Sequence, residues 1–304
     1  MATEAKKVKL SNIHKFIKPY VIKDGRHFRL KDHDPADTHH LNSEDKPEAK
    51  RILDEGVNIL SELQDVLYAQ GEWGLLLIFQ AMDAAGKDGT IKHVMSGVNP
   101  QGVDVHSFKT PTNEELAHGY MWRSTTCMPA RGKIGIFNRS YYEEVLVVRV
   151  HPELLDKQRI PDEFRKDHFW KNRYEDINSF ERYMTRNGFA IRKFFLNVSR
   201  KEQKKRFMER LTNADKNWKF STADVKERKC WDEYQDAYEK MIRNTASEKA
   251  PWIVVPADNK WFSRLLVVAS IVDALNCMNL KYPVLTEEQL AGLREARRQL
   301  SKEK

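Results

Sequence analysis

Residues 81–89, with the sequence AMDAAGKDG, combine a turn of small residues, a Gly-Lys pair and two acids. The apolar run LLLIF at 75–79 precedes them, and an amphipathic segment at 87–97 follows. In a phosphate-binding loop, backbone N–H groups and the N-terminus of the next helix hold phosphate, while a lysine reaches the outer phosphates. Gly86 and Lys87 stand where this chemistry needs them, so the stretch predicts a phosphate-binding loop rather than a plain strand-to-helix turn.

Two positions depart from the usual loop, since Ala81 replaces the first glycine and Asp88 replaces the Ser or Thr after the lysine. That hydroxyl normally contacts Mg²⁺, so the metal would need another oxygen ligand, and Asp83 is the nearest candidate. A carboxylate inside the loop repels a bare phosphate, so Asp83 indicates either a divalent cation or a base near an acceptor. Asp88 either joins the metal shell or only stabilises the start of the helix.

A second group of polar residues follows the apolar run IGIF, in the sequence IGIFNRSYYEE. Side chains at the carboxyl end of a buried parallel strand lie over the crevice where ligands bind. Asn138 holds the place where P-loop enzymes often carry an acid for Mg²⁺, and Arg139 follows it. Arg139 can grip phosphate with its planar fork, or it can form a surface ion pair with Glu143.

A third group is the basic stretch RKFFLNVSRKEQKKRFMERL. Arg206 and Arg210 are four residues apart and share one face of the predicted helix. With the polar segment NADKNWKFSTAD behind it, the helix is typical of a mobile lid that closes on phosphates. A solvated basic face explains the same charges, and the sequence leaves both interpretations open.

The elements that position these groups alternate between strands and helices, which predicts an α/β fold with a parallel sheet flanked by helices. Strands are predicted at 75–79, 103–108, 134–137, 189–198 and 251–256. Helices are predicted at 47–69, 87–97, 113–126, 140–150, 162–187, 200–212, 224–245 and 260–279. Residues 1–46 are predicted as an irregular N-terminal arm, 47–285 as the main domain with a lid at about 200–245, and 286–304 as a helical tail.

Composition limits the partners. The chain has 304 residues, a net charge of +8 and a pI near 9.2, which fits a polyanionic ligand. Mean hydropathy is −0.68, and no apolar run reaches the roughly 18 residues of a membrane span. The first residues lack a secretory apolar core and the three cysteines lie far apart, so we expect a cytoplasmic protein without membrane partners.

Five stretches resemble the polyphosphate kinase 2 family, in order and in register from about residue 45 to 280. They are FQAMDAAGKDGTIKHVMSGVNPQGVDVHSFK, YMWR…PARGKIGIFNRSYYEEVLVVRVHPE, KFFLNVSRKEQKKRF, NWKFSTADVKERKCWDEYQDAYEKMI and APWIVVPADNKWFSRL. The form FNRSYYE, with Asn138 where many relatives carry Asp, is similar to the class III branch. The resemblance implies a three-layer, thymidylate-kinase-like P-loop fold with a helical lid. It also implies Mg²⁺ (or Mn²⁺), and phosphoryl transfer from inorganic polyphosphate to AMP and ADP without a covalent enzyme intermediate.

The resemblance also implies roles for particular residues. Its Walker A positions fall on Asp83, Gly86, Lys87, Asp88 and Gly89, with Ala84 and Ala85 in the phosphate cradle, and its Walker B positions fall on Asn138, Arg139 and Ser140. The lid cations fall on Arg206 and Arg210, with Lys216 and Lys219 as further candidates. We add Lys92 to the phosphate channel, and Arg123, Glu143 and Glu153 to the nucleotide site with Asp83 and Asn138.

Two other functions fit part of the pattern. One is an ATP-dependent nucleoside or nucleotide kinase of the same fold, against which the missing Ser/Thr after Lys87 argues. The other is a nucleic-acid-binding protein that uses its basic surface, for which the sequence offers no RNA-binding motif, so we expect no nucleic-acid partner. The resemblance implies AMP, ADP, ATP and polyphosphate as ligands, and it also implies a homo-oligomer.

Overall fold

The computed structural model describes residues 12–218 and 220–303. Its strands are β1 (Val21–Ile22), β2 (Gly74–Gln80), β3 (Val103–Ser107), β4 (Ile134–Asn138), β5 (Phe189–Asn197) and β6 (Trp252–Pro256). The helices of the first half are α1 (12–17), α2 (Lys46–Gln70), α3 (Lys87–Val94), α4 (Asn113–Ala117), α5 (Trp122–Thr125) and α6 (Val147–Val150). Those of the second half are α7 (Phe169–Arg186), α8 (Arg200–Thr212), α9 (Ala214–Asn217), α10 (Thr222–Glu227), α11 (Trp231–Thr245), α12 (Lys260–Asn276) and α13 (Glu287–Leu300).

The strands form one sheet in the order β1-β6-β5-β2-β4-β3. Every pair is parallel except β1 with β6. The central strand β2 is buried along its whole length, which explains its unbroken apolar sequence. The predicted parallel sheet is therefore confirmed, with an additional short antiparallel edge strand.

Helices cover both faces of this sheet. Lys193 of β5 reaches Glu181 of α7, while the neighbouring Arg192 lies close to Asp273 of α12. Because successive side chains of a strand point to opposite faces, α7 and α12 must lie on opposite sides of the sheet. Helix α2 packs against α12. The result is the three-layer arrangement that the sequence predicts.

Residues 12–46 are more ordered than the irregular arm predicted for 1–46, of which residues 1–11 lie outside the described residues. Tyr20, Phe28 and Leu30 are buried in the main core, and β1 pairs with β6. Gly25 allows this segment to lie against the end of α11, because a Cβ there would stand 2.4 Å from the carbonyl oxygen of Arg243. Short polar stretches with isolated apolar residues carry little periodicity, so the sequence pattern misses such an element.

Several predicted helices are shorter or divided. The predicted helix 113–126 is two short helices, α4 and α5, and 140–150 is a 3₁₀ turn followed by α6. The predicted helix 162–187 begins only at Phe169, and the segment 213–223, predicted as irregular, contains α9 and the start of α10. Within the predicted lid, α11 packs into the core through Tyr234, Tyr238 and Ile242, so it belongs to the body of the domain.

The predicted C-terminal tail helix is present as α13. It begins with a capping box formed by Thr286 and Gln289. No helix in the described parts of the chain is both long and apolar enough to span a bilayer.

Candidate active site

The loop between β2 and α3 has the shape of a phosphate cradle. Ala84 and Gly86 adopt positive φ angles of 61° and 107°, which turns the chain sharply before the helix begins. The first backbone hydrogen bond of α3 runs from the N–H of Thr90 to the carbonyl oxygen of Gly86. The N–H groups of residues 87–89 thus belong to the unsatisfied first turn of a helix, where an anion is stabilised.

Lys87 is buried at the base of this cradle. Its Nζ donates a hydrogen bond of 2.8 Å to the carbonyl oxygen of Ala81. Burial, together with the positive charge of Arg139, lowers the pKa of Lys87, and the charge of Asp83 only partly opposes this. A cation held in this way is under-compensated, so an incoming phosphate would complete its charge balance.

The end of β4 lies beside the loop because Phe79 of β2 is paired with Asn138. Arg139 has a φ of 64° and donates its backbone N–H to the carbonyl oxygen of Phe79 at 3.0 Å. Its Nη2 stands 3.2 Å from Oδ1 of Asp83, and its Nη1 stands 3.8 Å from Glu143. The ion pair with Glu143 considered from the sequence exists, but at the loop mouth rather than on a remote surface.

Charge interactions reinforce this cluster. The negative charges of Glu143 and Asp83 raise the pKa of Arg139, although its burial opposes them. Burial raises the pKa of Glu143, while Arg139 and Lys87 oppose that rise. The site therefore contains four electrostatically coupled side chains: Asp83, Lys87, Arg139 and Glu143.

Asp88 bridges the two elements of the site. Its Oδ1 accepts a hydrogen bond of 2.8 Å from Nδ2 of Asn138, and the Asp88 side chain is otherwise exposed at the start of α3. This contact leaves the amide oxygen of Asn138 free to accept. Ser140, the third Walker B position, is fully buried, and its Oγ accepts from Gln80 and from the backbone of Tyr142.

Arg206 differs from the lid residue that the sequence predicts. Its Nη1 donates to the carbonyl oxygens of Ala84 and Ala85, and its Nη2 donates to those of Ala257 and Asp258. Nε is held by Glu202 at 2.9 Å. Since all its N–H groups are engaged, Arg206 braces the loop in this conformation. Its burial excludes the solvated face, and direct phosphate contact stays a prediction.

The outer part of the lid is held over the loop by polar contacts. Arg210 stands 3.5 Å from Asp224, and Gln203 donates to the carbonyl oxygen of Asp83. Asp224 has no local sequence signal, and its pKa is raised by burial and then by the charge of Asp83. Lys216 is exposed with no ion pair among the described residues, and Lys219 lies outside them.

The remaining predicted residues lie at varied distances from this cluster. Arg123 is buried, donates to the carbonyl oxygen of Lys109 and packs over the ring of Phe108. Glu153 is largely exposed and approaches His151 at 3.5 Å, and Lys92 is exposed on α3. The structure thus brings the loop and Walker B residues together, whereas Glu153, Lys92 and Lys216 make no direct contact with them.

A buried polar network beneath the site was also missed. Lys193 of β5 pairs with Glu181 at 2.6 Å and donates to the hydroxyl of Tyr142 and the carbonyl oxygen of Thr245. Tyr141 and Tyr142 both donate to Glu181. A lysine inside the apolar strand FAIRKFFLN was the available signal, because such a charge requires a buried partner.

The donor set at the loop mouth fits Mg²⁺. The Asp83 side chain is one-third exposed (33%), and only its Oδ1 contacts Arg139. With the free amide oxygen of Asn138, it offers the hard oxygen ligands that Mg²⁺ prefers. No group of three or more His, Cys, Asp or Glu side chains able to hold a metal occurs in the described part of the chain. The two oxygens of Asp83 and Asn138 suit an ion bound through one or two carboxylates plus substrate phosphates.

The sheet, the cradle and the adjacent Asn-Arg turn define a phosphotransferase of the P-loop kinase fold. The chain belongs to the polyphosphate kinase 2 (PPK2) family, because the model of that family matches residues 42–283.

Related proteins agree with this assignment. The chain is 49% identical to the ADP-polyphosphate phosphotransferase of Rhodopseudomonas palustris, over 85% of this chain and 90% of that protein. It is 44% identical to the AMP/ADP-polyphosphate phosphotransferase of Meiothermus ruber, over 88% and 96% of the two chains. The crystal structure of polyphosphate kinase 2 from Arthrobacter aurescens TC1 superposes with a TM-score of 0.81 at 39% identity, covering 90% of this chain and 95% of that one.

Proposed function

We propose that this enzyme transfers a phosphoryl group from inorganic polyphosphate to AMP and ADP, in a reversible, in-line reaction. The observation that carries the proposal is the loop itself, in which buried Lys87 and the first amides of α3 lie beside an Asp83–Arg139 pair. This arrangement holds an anionic phosphate chain and places a carboxylate where a metal-bound phosphate would meet it.

The donor chain is held by groups that neutralise charge rather than by a covalent bond. The amides of residues 87–89 and the ammonium of Lys87 bind the transferring phosphoryl group, and the Arg139 guanidinium stabilises the charge that develops during transfer. Arg206 acts indirectly, because it fixes the carbonyl groups of the loop and so the direction of the loop amides. Closure of α8–α10 excludes water and limits hydrolysis of the chain.

Mg²⁺ is the cofactor we propose, with Mn²⁺ as a substitute, held by Asp83 and supported by the amide oxygen of Asn138. When bound, it supplies Lewis-acid neutralisation of the phosphate oxygens. Asp83 then orients the acceptor phosphate. The acceptor phosphate is already anionic near neutral pH, so the reaction needs no strong general base.

AMP and ADP are the acceptors that we propose, with ATP as the product from ADP. The two relatives described above are named for ADP and for AMP/ADP. The resemblance of the FNRSYYE stretch, with Asn138, to the class III branch also implies both acceptors. Buried Arg123 and half-buried Glu143 are the charged groups that we assign to the nucleotide side of the site. Nucleotide substrates favour the cytoplasm as the compartment.

The test is the product spectrum. Purified enzyme is incubated with AMP, Mg²⁺ and long-chain polyphosphate as the sole phosphoryl source, and nucleotides are separated by anion exchange. We expect ADP first and ATP later. Formation of ADP only when ATP is added would instead identify an ordinary nucleotide kinase.

We also infer self-association of the chain. Helix α13 leaves Leu293 and Leu300 exposed by 57% and 64%, and Val284 before it by 94%. A 14-residue helix is marginal in water without a packed face. Acids stand at its start and arginines near its end, so two copies in antiparallel orientation match in charge, which favours a two-fold dimer.

A further inference from the structure

A second cleft lies at the end of the sheet where the parallel strands begin, opposite the end that carries the phosphate loop. It has a volume of about 1090 Å³ and is lined by the start of β5, the residues before β6, α7, α12 and the segment 14–23. Phe189 begins β5 and Pro251 precedes β6, whereas the loop follows the last residue of β2. Because these strands are parallel, the cleft and the loop lie at opposite ends of the sheet. The reaction proposed above uses no residue of this cleft.

The charges of the cleft are unbalanced. Its lining contains six lysines and arginines and three acids. Each acid has a partner: Glu248 contacts Lys23 at 2.8 Å, Asp273 contacts His14 at 3.3 Å, and Glu181 contacts Lys193. Within residues 12–218 and 220–303, the other five cations form no ion pair; they are Lys18, Arg182, Arg186, Arg192 and Lys249.

Arg192 is the decisive member of this set, since exposed unpaired cations are common on any basic surface. Its side chain is partly buried, and burial lowers its pKa. In the described structure its guanidinium makes one hydrogen bond, from Nη1 to the carbonyl oxygen of Ile191 at 3.0 Å. The charge of Asp273 opposes this shift, but within the described residues Asp273 contacts His14 and makes no hydrogen bond or ion pair with Arg192. A half-buried guanidinium with most donors unused favours an anion, and carboxylates and phosphates match its fork.

The cations lie on several walls of the cleft, and this arrangement favours a linear anion over a compact one. Arg182 and Arg186 stand one turn apart on α7, while Arg192 points to the α12 side of the sheet and Lys18 lies on the N-terminal segment. A compact ion contacts one wall, whereas a linear chain of phosphates contacts several. Apolar lining residues such as Phe189 and Ile253 lower the local dielectric and strengthen each contact.

We propose that this cleft binds a linear phosphoanhydride chain and serves as a second contact for long polyphosphate. The inference rests on the proposed function for the identity of the donor. β2 and β5 pair from Gly74 with Phe189 to Gln80 with Phe195, so the start of β5 and the loop are separated by about 20 Å at ~3.3 Å per residue. A long donor spans that distance, and contact at one end raises its effective concentration at the other.

Equilibrium binding provides the first test. Fluorescently end-labelled long-chain polyphosphate is titrated with full-length wild type, with the Arg182→Gln/Arg186→Gln variant and with a triple variant that adds Arg192→Gln. The exposed pair Lys50→Gln/Arg51→Gln on α2 removes two positive charges outside the cleft and is the matched control for the double variant. We expect the cleft variants to bind about tenfold more weakly than the control, with unchanged affinity for tripolyphosphate at the loop.

Cys277 provides a local readout, because it lines the cleft and is exposed. Its alkylation rate is followed by peptide mass spectrometry, with Cys127 as the internal reference outside the cleft. Long-chain polyphosphate should slow alkylation of Cys277 several-fold in a Lys87→Ala background and leave Cys127 unchanged. The double variant should lose that protection even if the triple variant folds poorly.

The outcomes separate the alternatives. Equal polyphosphate affinity of the cleft and control variants, or no protection of Cys277, overturns the proposal. Protection by ATP as strong as that by polyphosphate retains the phosphoanhydride chemistry and assigns the site to nucleotides. Neither assay depends on transfer, so an enzyme that binds polyphosphate here and fails to phosphorylate AMP contradicts the proposed function and leaves the cleft assignment standing.

Discussion

We expect the buried ammonium of Lys87 to be needed for phosphoryl transfer but to lower the stability of the folded protein. Its ammonium is buried with a single carbonyl partner, so Lys87→Met should stabilise the protein by about 1 kcal/mol and abolish transfer. Because burial lowers the pKa of Lys87 below its ordinary value of 10.5, the unfolded chain binds more protons between the two values. The stabilising effect should therefore be full below the folded-state pKa of Lys87 and shrink as pH rises toward 10.5.

Thermal unfolding of both proteins across that pH range measures this effect. Lys92→Met, on the exposed side of the same helix, is the control and should change the melting temperature little. A Lys87→Met variant less stable than wild type at neutral pH would show that the ammonium is not under-compensated.

Asp83 and Asp88 provide a second comparison at this scale. Asp83→Asn should lower kcat/KM by about a hundredfold and weaken Mn²⁺ binding, because it removes the carboxylate assigned to the metal. Asp88→Asn should cost less than about tenfold, since its contact with Asn138 is a hydrogen bond between side chains that an amide can replace. Steady-state kinetics with Mn²⁺ titration followed by electron paramagnetic resonance compares the two, and equal losses would contradict the assignment.

The sequence predicted the types of the site residues better than their contacts. Gly86, Lys87 and Arg139 could be placed because a strand end and a Gly-Lys pair fix a loop locally. The role of Arg206 could not be predicted, because its partners are carbonyl groups of two segments far away in sequence. Asp224 was missed for the same reason, since nothing local shows that its segment folds over the loop.

Among the elements, the buried network joins β5 and α7 to the turn that carries Arg139. Lys193→Met leaves Glu181 buried without its cation, so we expect a loss of about 3–5 kcal/mol in the free energy of unfolding. The double variant Lys193→Met/Glu181→Leu should lose less than the single one.

Urea unfolding of the single and double variants tests this coupling. The exposed α7 pair of Lys171 with Glu175 is the control, and Lys171→Met should change stability by less than about 0.5 kcal/mol. Additive effects of the two substitutions at Lys193 and Glu181 would mean that the pair does not act as a unit.

Helices and strands were predicted correctly where the spacing of their apolar residues follows a single period. The apolar strands and the helices α2, α8 and α12 have the expected places, because burial on one or two faces gives them clear patterns. The start of α7 was predicted seven residues early, since charged 3₁₀ turns before it resemble a helix in composition. β1 was missed because two residues provide no measurable period.

For the whole molecule, association through α13 gives a direct prediction. Leu293→Glu/Leu300→Glu introduces charge into the exposed apolar stripe and should reduce the solution mass toward that of one chain. Light scattering coupled to size-exclusion chromatography measures the mass. Gln299→Glu on the same helix is the control, and a wild-type mass equal to a single chain would contradict the inference.

The strand order could not be obtained from the sequence. β2 lies between β5 and β4 although neither is its neighbour in the chain, and this order is what brings Asn138 beside the loop. Alternation of strands and helices predicts a parallel sheet, but the order depends on which faces bury each other across long separations. The basic charge likewise indicated a polyanion without locating the cleft beneath β5 and β6.

The central claim is that polyphosphate itself is the phosphoryl donor. It is tested most directly with ³²P-labelled polyphosphate, unlabelled AMP and Mg²⁺, with the label followed into the β-phosphate of ADP. We predict labelled ADP with the wild type and at least a hundredfold less with Lys87→Met. Unlabelled nucleotide after complete turnover, or undiminished labelling by Lys87→Met, would contradict the account.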